Sequence, residues 1–179
     1  CDMARKVQIM DEATINRSLA RITHEIIEKN EGCDGLVILG IKTRGVRIAQ
    51  ALKENILKFE GVNVAVGSID VTMHRDDYTA EAKAKKATES DIPCSLENKT
   101  VVLVDDVLYT GRTVRAGIET IFSLARPKAV QLAVLVDRGH REVPIRPDFV
   151  GKNIPTAKHE KVSVVLGGEE ENGVFIISD

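Results

Sequence analysis

The chain has no tryptophan, and its 179 residues hold only six other aromatics: Phe59, Tyr78, Tyr109, Phe122, Phe149 and Phe175. A sheet that binds RNA by stacking needs aromatic side chains next to one another, and these are scattered. No run of about 18 apolar residues occurs, so nothing reads as a membrane span. Cys1, Cys33 and Cys94 lie far apart with no CxxC pair, which removes a structural zinc site and a thioredoxin-type motif. No secretory pattern is present, and the expected location is a cytoplasm that keeps these thiols reduced. A dominant charge sign is missing too. Lys and Arg number 25 against 27 Asp and Glu, a formal net charge of −2, which argues against a wholly basic nucleic-acid coat protein. Walker (GxxxxGKS/T) and dinucleotide (GxGxxG) loops are both absent.

What is present suffices for one sizeable core. The chain is 43% hydrophobic and 29% charged, which suits a globular chain and neither a disordered nor a fibrous one; a single domain over 1–179 is expected. Asp11 can cap a helix in which Ile15, Leu19, Ile22 and Ile26 recur at helical spacing. Leu36–Leu39 forms a short apolar run before GIKTRG (40–45), and Val46, Ile48, Ala49 and Leu52 follow at helical spacing up to Gly61. Val62–Ile69 reads as a strand, residues 74–91 as a polar mobile lid, and Thr100–Val104 as a buried strand leading to a helix through Leu124. Ala129–Val136 is the next strand. Apolar runs alternating with helices predict an α/β fold whose central, mainly parallel sheet is covered on both faces. From Asp137 the alternation breaks. Pro144, Pro147 and Pro155, then strand-like Val162–Leu166 and Val174–Ser178, suggest a C-terminal hood over 137–179.

Residues 101–113, VVLVDDVLYTGRT, carry the clearest chemistry. An apolar strand delivers Asp105 and Asp106 where ligands bind open parallel sheets. Thr110, Gly111, Arg112 and Thr113 then open a helix whose free N–H groups and hydroxyls suit a phosphate. A carboxylate pair a few residues from an anion cradle fits a ribose 5-phosphate.

This segment resembles the signature of type I phosphoribosyltransferases, which binds 5-phosphoribosyl-1-pyrophosphate (PRPP). With GIKTRG, HRDD at 74–77 and VDRGHREVPIRPDFVGKNIPT at 136–156, the chain resembles the PyrR family: pyrimidine-operon attenuation regulators that are also uracil phosphoribosyltransferases. The resemblance implies a type I phosphoribosyltransferase-like fold and conversion of uracil and PRPP to UMP and pyrophosphate with Mg²⁺. Asp105 and Asp106 would then hold the ribose hydroxyls, meet the metal only through PRPP and water, and favour the charge growing on the ribose. Tyr109, Thr110, Gly111, Arg112 and Thr113 would wrap the 5-phosphate. Lys42, Thr43, Arg44 and Gly45 would form the pyrophosphate turn, and Arg75 would close the lid over it. Asp137 and Arg138, with a Phe149–Val150 hood, would read uracil. Tyr109 stands where purine-using members place an aspartate facing the base, which disfavours hypoxanthine and guanine.

The same resemblance implies binding of pyrimidine-operon leader mRNA, with UMP or UTP as regulatory ligands, by a homodimer or larger homo-oligomer. The charge pattern has room for this. Arg17, Arg21 and His24 share a face of the first helix away from its apolar stripe. Between Arg138 and Lys161, six basic residues face three acidic ones. His140, Arg141, Arg146 and Lys152 complete the expected RNA face, and Arg141→Ala or Arg146→Ala should weaken RNA binding while sparing catalysis. Rival readings are a phosphoribosyltransferase for another base with no RNA role, and a regulator with vestigial catalysis.

Overall fold

The computed structural model describes residues 5–71 and 90–178. The expected lid, with HRDD, Arg75 and nearly all of 74–91, lies outside the described residues, as does Cys1.

Strand β1 (Arg5–Asp11) leads into α1 (Glu12–Lys29), where the Asp11 carboxylate accepts the Thr14 N–H at 2.8 Å as a cap. Strand β2 (Leu36–Ile41), helix α2 (Arg44–Glu60) and strand β3 (Ala65–Ile69) follow. Then come β4 (Thr100–Leu108), α3 (Arg112–Leu124) and β5 (Ala129–Asp137). Three shorter strands finish the fold: β6 (Phe149–Asn153), β7 (Lys161–Val165) and β8 (Gly173–Ser178).

The central sheet has five parallel strands in the order β3-β2-β4-β5-β6. Its apolar runs are buried on both faces, as their unbroken hydrophobicity demands. On one face Ile38, Val102, Val104 and Leu135 pack beneath Ile22 and Ile26 of α1 and Ile48 and Leu52 of α2. On the other, Leu39, Val101, Leu103 and Val134 meet Val114 and Ile121 of α3.

The region past Asp137 is not one hood. β6 joins the central sheet beside β5, whereas β7 and β8 pair antiparallel with each other and, through β8, with β1. Met10, Val164 and Val174 bury the inner side of this small sheet in the same core as α1 and α2. Two other boundaries differ. The third strand begins at Ala65 rather than Val62, and β4 runs on to Leu108 rather than stopping at Val104.

Candidate active site

The extra length of β4 places the carboxylates. β2 pairs with β4 from Leu36–Thr100 to Gly40–Val104 and then turns away into α2, while β4 stays paired with β5 out to Leu108. Asp105 and Asp106 therefore sit in a strand that has lost one neighbour. Each satisfies the chain beside it: Asp105 Oδ1 accepts the Asp106 N–H, and Asp106 Oδ1 accepts the Val107 N–H, both at 2.8 Å. Asp105 is only 8% exposed. Its burial first, and the negative Asp106 second, push its carboxyl well above the usual carboxylate range.

The turn from β2 into α2 lies against this strand end. The Lys42–Thr43 peptide is cis, and the Lys42 N–H donates to the Ile69 carbonyl at 3.0 Å. A methyl group on Gly45 would lie 2.4 Å from the Val104 carbonyl oxygen and 3.2 Å from the Asp105 Cα, so backbone meets backbone there. Gly40 completes the fit, since a methyl on it would meet the Gly45 oxygen at 2.6 Å. The two glycines of GIKTRG hold the cationic turn against the carboxylates.

On the far side of Asp105 and Asp106, Tyr109–Gly111 leads into α3. A cavity of about 90 Å³ lies there, lined by Asp105, Tyr109, Thr110, Gly111 and Thr113. Gly111 adopts φ +90°, and a methyl on it would come 2.6 Å from Val143 Cγ2, so the position excludes larger residues twice over. At the start of α3 the Arg112 N–H donates to Thr110 Oγ1 at 3.2 Å, while the Thr113 and Val114 N–H groups belong to the turn that has no intrahelical acceptor. Glu142 and Val143 donate their N–H groups to the Thr110 carbonyl at 2.8 and 3.3 Å, and Arg112 pairs with Glu142 at 2.6 Å.

The segment after β5 builds the neighbouring part of the site. The Arg138 N–H donates to the Leu108 carbonyl, and its guanidinium lies 4.1 Å over the Tyr109 ring. Arg138 is 6% exposed and donates to Thr156 Oγ1 and the Ala157 carbonyl, both at 3.0 Å. Two adjoining cavities share Asp137, Gly139 and Asn153. One, of about 370 Å³, adds Arg138 and His140; the other, of about 770 Å³, adds Arg141, Arg146 and Val150.

Three expectations are corrected here. Phe149 does not line these cavities: it is 2% exposed and belongs to the core on the α1 side of the sheet, because neighbouring strand residues point to opposite faces and only Val150 faces the cavity. Arg141 does not belong to a free basic surface. It donates to the Ile145 carbonyl at 2.8 Å, the Tyr109 carbonyl at 3.0 Å and the Asp137 carboxylate, and so braces the site internally. His140, at φ +66°, points its ring at the Thr156 carbonyl and meets Tyr109 edge-on. Thr156 and Ala157, the anchors of Arg138, were not singled out from the sequence; no local pattern marks them.

The other expected basic residues lie elsewhere. Arg17, Arg21 and His24 are exposed along α1. Arg21 donates to the Val150 and Gly151 carbonyls at 3.1 and 2.6 Å, and Lys152 Nζ reaches the Ile9 carbonyl at 3.5 Å, so α1 and the β6 edge form one face. Arg146 is exposed at the rim of the larger cavity. Among the described residues no helix is long and apolar enough to cross a membrane.

Comparison with known proteins agrees with this geometry. The phosphoribosyl transferase domain family matches residues 8–167. The chain is 54% identical over 179 residues to a Bacillus cereus protein named bifunctional protein PyrR, covering 99% of both chains. A protein of the same name from Thermoanaerobacter sp. is 52% identical over 177 residues, again with 99% of both chains covered. Among solved structures, Trypanosoma cruzi hypoxanthine phosphoribosyltransferase with the product IMP superposes at a TM-score of 0.67 and 22% identity, over 88% of this chain and 80% of that one. The Staphylococcus aureus hypoxanthine phosphoribosyltransferase gives 0.66 and 21%, over 86% and 79%.

Proposed function

Because the chain belongs to the phosphoribosyl transferase family, and within it to the PyrR proteins, we propose that it joins uracil to the ribose of PRPP and also controls pyrimidine genes by binding their leader mRNA. One observation carries the catalytic reading: Gly45 packs the cationic turn against the same strand end whose other side opens on the 90 Å³ cavity at Tyr109–Thr113. A sugar lying over Asp105 and Asp106 places its 5-phosphate in that cavity and its pyrophosphate at Lys42–Gly45.

In the reaction the bond from C1 of the ribose to pyrophosphate breaks, and its electron pair leaves with pyrophosphate. Asp105 and Asp106 accept hydrogen bonds from the ribose hydroxyls and favour the positive charge building on the ring. N1 of uracil closes on C1 from the base side, and its proton passes to the departing pyrophosphate. Asp137 and Val150, with backbone groups of the cavities they line, hold the pyrimidine, while Arg138 keeps the Tyr109 ring in place beneath it. Tyr109 gives no carboxylate for a purine ring nitrogen. With PRPP supplied, nucleotide and pyrophosphate are expected from uracil alone when uracil, hypoxanthine and guanine are compared; turnover of either purine, or none of uracil, overturns the reading.

The carboxylates fit Mg²⁺ brought in by PRPP. Each keeps an oxygen not used by a backbone N–H, and hard oxygen donors suit this ion. Such an ion would be met through substrate oxygens and water. When bound, the ion offsets charge on the leaving pyrophosphate.

For the regulatory role, Arg17, Arg21, His24 and Lys152 form the candidate RNA face, with Arg146 beyond the β6 edge. UMP or UTP in the nucleotide site would contact the 139–147 segment that lines the larger cavity and carries Arg146, and so couple ligand to RNA. Pairing of two copies in the cytoplasm would widen the basic face. Arg17→Ala should weaken leader-RNA binding several-fold and lower the slope of log K against log salt by about 0.7, the loss of one phosphate contact. UMP formation should be unchanged, as a filter-binding assay beside a turnover assay would read. Arg141→Ala and Arg146→Ala should now part company. The first releases the Tyr109 carbonyl and should raise KM for PRPP by about tenfold, in keeping with the loss of a charged hydrogen bond of about 1.5–3 kcal/mol; the second should leave KM unaltered.

A further inference from the structure

A cavity of about 370 Å³ lies between the first turn of α2 and strand β7, beside the site described above. Thr43, Arg44 and Arg47 line it from one side, and Ser163, Leu166 and Glu170 from the other. Thr43 and Arg44 also belong to the pyrophosphate turn, so the cavity adjoins it. Arg44 and Arg47 are three residues apart on α2 and share a face. Among the described residues neither guanidinium has a hydrogen bond or an ion pair.

Arg47, though exposed, lies against the turn after β7: a methyl group on Gly167 would meet its Nη1 and lie 2.8 Å from its Cζ. Gly167 sits at φ +65°, and its N–H donates to Asn172 Oδ1 at 2.8 Å, which fixes the turn. The chain thus holds a second cationic head one helical turn beyond the pyrophosphate turn, with no protein anion paired to it. Glu170 alone lends the cavity a negative charge.

We infer that this cavity is an anion subsite for the third phosphate of a linear polyphosphate whose first two phosphates occupy the pyrophosphate turn. The inference rests on the proposed role of that turn. PRPP has two linked phosphates there and stops short of Arg47; a triphosphate chain reaches it. Arg47 forms a charge-assisted bond with the terminal phosphate, and Glu170 opposes the same group.

Isothermal titration with inorganic pyrophosphate and inorganic tripolyphosphate tests this. Tripolyphosphate should bind wild-type protein about tenfold more tightly than pyrophosphate. Arg47→Ala should bring that ratio to about one, with the pyrophosphate affinity and the UMP-forming rate at saturating PRPP unchanged. Glu170→Gln, at an exposed position, should raise the ratio instead. Equal binding of the two anions by wild type, or a ratio that ignores Arg47→Ala, overturns the subsite. Loss of pyrophosphate binding in wild type would fault the turn assignment instead, and tripolyphosphate binding that still depends on Arg47 would then sustain the cavity by itself.

Discussion

Gly45→Ala is expected to lower UMP formation by about a hundredfold and to raise KM for PRPP, although the added group is a single methyl. That methyl would sit 2.4 Å from the Val104 carbonyl oxygen and 3.2 Å from the Asp105 Cα. Neither contact is the end of a flexible side chain, so α2 and β4 must separate. Gly40 offers no relief, because even a methyl on it would come within 2.6 Å of the Gly45 carbonyl oxygen and the Val46 Cα. Overpacking of this kind costs about 1–3 kcal/mol of stability. The catalytic loss has a different origin: misplacement by about 1 Å of groups that must act together costs on the order of a hundredfold. Steady-state kinetics with PRPP varied, beside a thermal melt, separates the two. A variant that melts lower yet turns over normally would show that the turn and the carboxylates do not work as a unit.

Asp105→Asn is the second large expectation, and its two effects have opposite signs. Activity should fall by about 10²–10³, the range for losing one group that stabilises developing charge. The ligand-free protein should become more stable by ~1 kcal/mol, a rise in Tm of about 2–4 °C for a chain of this size. Asp105 is 8% exposed, with Asp106 beside it, and its carboxyl is pushed up first by burial and then by that neighbour. An amide removes the buried charge and keeps an oxygen for the Asp106 N–H. Calorimetry without ligand reads the stability. A lower Tm would mean that the carboxylate makes a stabilising contact in the empty site, and the view of Asp105 as a group held at a cost for catalysis would fail.

The proposed sugar-phosphate end of this site is readable in sequence because it is local. Asp105 to Thr113 lie on one strand, one loop and one helix start, and each residue type carries its chemistry openly. The parallel sheet was legible for a related reason: Val101 and Leu103 face one core and Val102 and Val104 the other, so burial on both sides leaves an unbroken apolar run. The base end was obscure because distant partners define it. Arg138 and Arg141 look like solvated charges in sequence, and only their bonds to Thr156, Ala157, Tyr109 and Ile145 make them braces. β1 was missed because most of its residues are exposed and only Ile9 and Met10 turn inward. β6, with Gly151, Lys152 and Asn153, carries little strand character of its own. The apolar run of β4 ends at Val104 where two carboxylates follow, yet pairing with β5 continues past them.

The pairing of β1 with β8 sets an order of assembly. Arg5 lies opposite Ser178 and Asp11 opposite Gly173, so this small sheet closes almost the whole described chain into a loop. The five central strands are all made once Asn153 has been synthesised, whereas β1 must wait for the last strand to leave the ribosome. Contacts so distant in sequence form late and raise the entropy cost of closure. The carboxylate strand and its phosphate loop can therefore be in place before the β7–β8 hairpin arrives beside Arg47. A nascent chain would acquire the carboxylate strand and its loop first and the cavity beside Arg47 last.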